Sequence, residues 1–116
     1  MSDSTRPHVL LISTDHWPAN LLGCAGHPAI MTPTLDQLAR NGVRFANATS
    51  ECPVCVPARK TLMTGIHPSV HGQKDNAHRP FPEVTTLAQS FRDAGYQAYG
   101  AGKLHLENQR SRAGFD

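Results

Sequence analysis

Short apolar runs alternate with amphipathic segments along this chain. Residues 9–12 (Val-Leu-Leu-Ile) are uninterrupted apolar positions, which is typical of a strand that is buried on both faces of a parallel sheet. Val43 and Phe45 alternate with polar neighbours and predict a second strand, and residues 96–101 predict a third. Strands that alternate with helices favour a three-layer α/β/α fold with a mainly parallel sheet.

The segments between the first two strands and after them have the pattern of short helices. A helix is predicted over residues 34–41, with Thr34 as its N-terminal cap and Gly42 just after its last residue. A second helix is predicted to have Pro57 in its first turn, where a missing N–H costs nothing, and to stop at Gly65.

A third helix is predicted from apolar positions that recur at i, i+3, i+4 and i+7. These positions are Val84, Leu87, Ala88 and Phe91. Gly95 is the expected end of that helix. Residues 18–33 and 67–82 are rich in proline and glycine, so we expect loops there, and residues 102–116 are expected to form a polar loop.

Composition excludes several partner classes. The chain has 116 residues, enough for one small domain with a single core, and a net charge of +2, too small to favour nucleic acid or a membrane surface. Residues 1–7 are polar and lack a signal-peptide core, and the 9–12 run is too short to span a bilayer. We therefore expect a cytoplasmic protein. An odd number of cysteines, three, does not favour a disulfide framework.

Candidate chemistry begins with Asp15, which falls at the carboxyl end of the first predicted strand. Ligands of open α/β sheets bind at that edge, and carboxylate oxygens suit a hard divalent cation. The alternative is that Asp15 only caps a turn.

Cys55 and Arg59 are four residues apart and share one helix face, where free N–H groups and a guanidinium favour an anion such as sulfate or phosphate. The alternative there is a buried Cys and a solvated Arg.

Two further groups carry possible chemistry. Lys103 and His105 would share a face if the third strand continued through them, placing a cation and a proton donor beside an anionic ester. Cys52 and Cys55 form a Cys-x-x-Cys, which could be a redox pair or half of a zinc site. No second pair exists, since Cys24 is isolated, and neither His27 nor His67 completes a recognised spacing.

In their order along the chain, these segments resemble the N-terminal portion of type I sulfatases, within the alkaline-phosphatase-like superfamily. Six family features have counterparts here: the opening strand with its Asp, the Cys-x-Pro-x-Arg formylglycine signature, the stretch after it, the second signature, a Gly-Phe-Asp landmark, and a Thr-Pro-Thr-Leu-Asp-Gln-Leu-Ala segment. The last of these resembles the family's Thr-Pro-Asn-Leu-Asp-x-Leu-Ala. The matching residues are 9–15, 32–39, 55–65, 64–72, 95–105 and 114–116.

The resemblance implies a role for each candidate residue. Cys55 would be oxidised to formylglycine, whose hydrated gem-diol attacks sulfur and which also contacts the metal. Asp15 would bind the metal, and Arg59 would stabilise the modified residue. Lys103 would contact the ester oxygens, and His105 would hydrogen-bond the diol. The implied reaction is metal-assisted hydrolysis of a small-molecule sulfate ester through a covalent sulfo-enzyme, and the implied partner is a formylglycine-generating enzyme.

Two positions next to the candidate site residues depart from the family pattern. His16 stands where many sulfatases carry a second acidic residue, so it is either an imidazole ligand or a group that supports one. The expected cation is Ca²⁺, and an imidazole ligand widens the choice to Mn²⁺ or Zn²⁺, with Mg²⁺ also possible. Ala58 replaces the common Ser of the signature, while its Cys, Pro and Arg are retained.

The resemblance also implies that part of the enzyme lies outside this chain. Family members run to several hundred residues, and further metal ligands, a His and a Lys lie downstream. We therefore expect residues 1–116 to be the N-terminal part of a sulfatase catalytic domain, with an incomplete sheet and no activity alone. The rivals are a phosphonate monoester or phosphodiester hydrolase of the same superfamily, a Cys-x-x-Cys redox or zinc module, and a non-catalytic remnant.

Overall fold

The structure is a computed structural model that describes residues 6–77, 79–106 and 113–116. The chain divides into two compact units, Met1–Ala46 and Asn47–Asp116. Within the described ranges, no helix has the length and apolar content needed to cross a bilayer.

The first unit contains a 3₁₀ helix, Gly23–Ala25, that packs on the helix α1, Pro33–Asn41. The Thr32 hydroxyl donates to Asp36 Oδ1 at 2.8 Å, and that carboxylate oxygen accepts the Cys24 N–H at 2.8 Å. Both bonds lower the pKa of the Asp36 carboxyl, and the bond from the Thr32 hydroxyl has the larger effect. The prediction that Thr34 caps this helix is wrong. Thr32 occupies the N-cap position, and the proline after it begins the helix.

The second unit contains α2 (Cys55–Thr64), α3 (Pro68–His71) and α4 (Leu87–Asp93). Gly65 ends α2 as predicted, with a left-handed φ of 69° and its N–H bonded to the Thr61 carbonyl at 2.7 Å.

Two details of the second unit differ from the sequence prediction. The short helix α3 lies inside the segment 67–82 that was predicted as loop. It forms because Pro68 is its first residue and the His67 ring caps it by accepting the Ser69 N–H. The other difference concerns α4, which begins at Leu87 and leaves Val84 outside the helix. Thr86 caps this helix by accepting the Gln89 N–H, which fixes its start.

The core of the second unit joins its helices to its C-terminal segments. Met63 of α2, Ala88 of α4 and Leu106 are buried together, and partly buried side chains surround them. The surrounding side chains are Phe81, Ala98, Leu104, Ala113 and Phe115. Burial of apolar surface is the main force available to hold these segments together.

The described residues form no strand, so the predicted sheet is not present within them. Residues 9–12 are between 60% and 82% exposed, and Val43, Phe45 and Tyr99, from the other two predicted strands, are each more than 70% exposed. A strand is completed by hydrogen bonds to a neighbouring strand, which local sequence cannot supply. The apolar residues of 9–12 and 43–45 therefore remain exposed, whereas Ala98 of the third predicted strand packs against the core and exchanges hydrogen bonds with Asp116.

Candidate active site around Cys55

Cys55 is the first residue of α2, and its side chain is held by a residue far along the chain. The thiol donates to the side-chain oxygen Oδ1 of Asn76 at 3.2 Å, and the same oxygen accepts the Val56 N–H at 3.1 Å. The Asn76 side chain thus has two functions: it binds the Cys55 thiol, and it caps the N-terminal end of α2. It does so from a loop about twenty residues further along the chain. Cys55 itself is half-buried.

The first turn of α2 does not present its N–H groups as we expected. The Val56 N–H is bonded to Asn76, Pro57 has no N–H, and the Ala58 N–H is bonded to the Val54 carbonyl at 3.1 Å. These three positions offer no free donor to an anion. Positive charge for any anion bound at this end of α2 would therefore come mainly from side chains.

Arg59 connects α2 to the second signature. Its Nη1 donates to the carbonyl oxygen of Lys103, 44 residues further along the chain. Leu106 is buried in the core, whereas Lys103 and His105 are exposed. The structure therefore brings the two predicted signatures together. The condition under which Lys103 and His105 would share a strand face is not met, because the segment forms no strand and His105 has a φ of 50°.

Positive φ angles mark two of the predicted site residues. Among the described residues, the non-glycine positions with positive φ are His16 (58°), His105 (50°) and Ala113 (44°). Such backbone conformations cost about 1–3 kcal/mol and concentrate at functional sites. The coincidence supports His16 and His105 as residues whose orientation matters.

The predicted metal ligands are divided between the two units. Asp15 and His16 are exposed residues of the first unit, and Cys55 belongs to the second. No three His, Cys, Asp or Glu side chains of the described ranges cluster closely enough to hold a cation. All three cysteines are free thiols, including both members of the Cys-x-x-Cys.

The Gly-Phe-Asp landmark has a structural role. The Asp116 carboxylate pairs with Arg92 Nε at 2.8 Å and accepts the Ala98 N–H at 2.6 Å, while the Asp116 N–H donates to the Ala98 carbonyl. Phe115 packs against the core. The landmark thereby fixes the segment that leads to Lys103.

Comparison with known proteins decides the family. A family model described as sulfatase matches residues 7–116. The chain belongs to the sulfatase family. The match therefore covers both signatures and every site residue named above, which agrees with the resemblance that the sequence motifs indicated.

Individual sulfatases show the same relationship. The chain is 40% identical over 111 residues to an ulvan-active sulfatase of Formosa agariphila, covering 96% of this chain and 22% of that protein. It is 37% identical over 107 residues to human arylsulfatase A, covering 86% of this chain and 21% of that protein. The chain thus spans about a fifth of the length of these curated relatives.

A solved structure supports the fold class. The crystal structure of a sulfatase homologue from Bacteroides thetaiotaomicron matches with a TM-score of 0.73 at 33% identity, over 84% of this chain and 22% of that one. The likeness supports the alkaline-phosphatase-like α/β fold, although the described residues contain no strand.

Sequence reasoning missed Asn76. It lies in a segment that the sequence predicted only as loop, and no spacing links it to Cys55. An asparagine in a polar loop is common, so only the folded contact distinguishes it.

Proposed function

We propose that the complete protein containing this sulfatase segment hydrolyses sulfate esters, with residue 55 as the site of the nucleophile. The observation that carries the proposal is the arrangement of the second unit. Cys55 opens α2, and Arg59, one turn later, is bonded to the segment that carries Lys103 and His105. Membership of the sulfatase family supports the same reaction.

Each side chain of the second unit has a role in this proposal. Conversion of Cys55 to formylglycine supplies a hydrated aldehyde whose hydroxyl is the nucleophile. Arg59 and Lys103 place positive charge where the ester's oxygens gain negative charge. His105 holds a hydroxyl of residue 55 by a hydrogen bond. These cations matter because the first turn of α2 contributes few free N–H groups.

The first unit supplies donors suited to a divalent cation. Asp15 offers carboxylate oxygens and His16 an imidazole nitrogen, and both residues are exposed. A divalent cation would supply Lewis acidity to the hydrolysis of the ester. The proposed ion is Ca²⁺, with Mn²⁺, Mg²⁺ or Zn²⁺ as the alternatives that the imidazole allows. Because Ca²⁺ takes six or more ligands, Asp15 and His16 alone would not complete its coordination.

We also propose the context of the segment. Residues 1–116 are the N-terminal part of a sulfatase catalytic domain, an assignment supported by the order of the motifs and by the fifth of the relatives' length that they span. The proposed partners are a sulfate ester and a formylglycine-generating enzyme.

The test uses the complete protein, co-expressed with a formylglycine-generating enzyme. We expect hydrolysis of 4-nitrophenyl sulfate that is lost on Cys55→Ala and retained on Cys52→Ala, the matched control. Faster hydrolysis of an aryl phosphonate monoester would favour the phosphonate hydrolase instead. Equal loss in both variants, or no hydrolysis of either ester, would contradict the proposal.

A further inference from the structure

A fully buried lysine follows the signature arginine on α2. Lys60 has no exposed surface, and its ammonium donates to Gln73 Oε1 at 3.1 Å and to the Pro80 carbonyl at 3.1 Å. The Phe81 ring lies under the ammonium, with its centroid 5.5 Å away. A buried charge is costly unless it is well bonded. The residues that accept hydrogen bonds from the Lys60 ammonium therefore indicate which loop the ammonium holds in place.

Gln73 transmits this anchor to the loop around Asn76. Its side chain is fully buried, and its oxygen accepts from Lys60. Its Nε2 donates to the Asp75 carbonyl at 2.6 Å and to the Ala77 carbonyl at 2.7 Å. One amide group thus holds the backbone on both sides of Asn76.

Asn76 completes a ring of contacts that begins and ends on α2. Lys60 anchors Gln73, Gln73 fixes the backbone on each side of Asn76, and the Asn76 oxygen binds the Cys55 thiol and the Val56 N–H. The ammonium also binds the Pro80 carbonyl, so it holds the loop on both sides of Asn76.

We propose that Lys60 is a positioning residue for the sulfatase reaction, acting through Gln73 and Asn76 on residue 55. The inference rests on the proposed function. Because a hydroxyl donates a hydrogen bond as a thiol does, the Asn76 oxygen would orient a hydroxyl of the modified residue 55. Lys60 sets the place of that oxygen without touching the substrate.

The first test does not depend on activity. The complete protein, expressed without the converting enzyme, keeps Cys55 as a thiol that reacts with iodoacetamide. Tryptic peptide 45–59 contains both Cys55 and Cys52, so Cys52 is an internal reference. Asn76→Ala removes the bond to the thiol. We expect the alkylation rate of Cys55 relative to Cys52 to rise roughly twofold to tenfold, the range of one lost hydrogen bond.

Variants of the anchor decide whether Lys60 acts through Asn76. Lys60→Met and Gln73→Glu are expected to raise the same ratio as Asn76→Ala does. Gln73→Glu is the sharper variant, because it keeps an acceptor for the buried Lys60 ammonium but loses the two N–H donors that hold the loop. The exposed Lys74→Met, in the same loop, should leave the ratio unchanged. A folded Gln73→Glu protein with the wild-type ratio would overturn the proposal.

The second test measures the reaction in the converted enzyme. Lys60→Met is expected to lower kcat on 4-nitrophenyl sulfate with a smaller change in KM. The double variant Lys60→Met with Asn76→Ala should be no slower than Asn76→Ala alone, because both changes remove the same positioning. Additive losses would show that Lys60 acts otherwise and would overturn the proposal. If the wild-type enzyme hydrolyses no sulfate ester, the proposed function fails, and the alkylation ratios still decide the positioning role.

Discussion

Thr86 joins α4 to the last described residues of the chain, and its hydroxyl makes two bonds there. The oxygen Oγ1 accepts the Gln89 N–H at 3.1 Å and donates to the Ala113 carbonyl at 2.7 Å. The residue is 6% exposed, so water does not readily replace these bonds. Thr86→Val keeps the shape of the side chain and removes both bonds.

The expected loss follows from these contacts. A lost N-terminal cap costs about 1 kcal/mol, and a lost hydrogen bond costs about 0.5–1.5 kcal/mol. The two together destabilise the packing of α4 against residues 113–116 by about 2 kcal/mol. That free energy corresponds to roughly a thirtyfold change in an opening equilibrium.

Hydrogen exchange of the complete protein measures this effect locally. The Gln89 amide is expected to exchange roughly thirtyfold faster in Thr86→Val than in the wild type. The matched control, Thr86→Ser, retains the hydroxyl and both bonds and loses one buried methyl group, so it should cost about 0.8 kcal/mol, clearly less than the valine variant. Unchanged exchange in the valine variant, or an equal change in the serine variant, would refute the account of the cap.

Three further changes have defined outcomes in the complete protein. Arg59→Lys should lower kcat on 4-nitrophenyl sulfate roughly tenfold, because it loses the guanidinium bond to the Lys103 carbonyl; an unchanged kcat would contradict this. Gly23→Ala should lower the melting temperature, because the new Cβ would lie 2.5 Å from Asp36 Oδ2; an unchanged melting temperature would argue against that contact. The pKa of His71 lies below its ordinary value of 6.5, mainly because the ring is partly buried and secondly because the charged Lys60 lies nearby. The neutral ring therefore stabilises the folded protein fully above pH 6.5, and this stabilisation is lost as the pH falls below that value. His71→Gln should therefore show a shallower loss of stability between about pH 7 and 5, and equal slopes would contradict the assignment.

Helix ends were predictable where one residue fixes the local backbone. Gly65 ends α2 because glycine adopts a left-handed φ easily, and this ending was predicted correctly. The start of α4 was missed because the Thr86 side chain, rather than the apolar period, sets it. Likewise α1 begins after Thr32, whose hydroxyl bonds to an acidic side chain of the helix.

The sheet and part of the site depend on contacts between distant segments. A strand such as 9–12 requires hydrogen bonds to a neighbouring strand, so its apolar pattern alone cannot establish it. The motifs predicted Cys55 and Arg59 as site residues. The bond from Cys55 to Asn76 joins residues that are 21 apart, a spacing that no motif predicts. Lys60 is fully buried, although lysine side chains are usually exposed. Such contacts appear only in the folded structure.

The central claim is that residue 55 is the precursor of the sulfatase nucleophile, and mass spectrometry tests it most directly. The complete protein is co-expressed with a formylglycine-generating enzyme, and tryptic peptide 45–59 is analysed for both cysteines that it contains. The account predicts an aldehyde at Cys55 and an unmodified thiol at Cys52. Two unmodified thiols, under conditions in which a known sulfatase is converted, would contradict it.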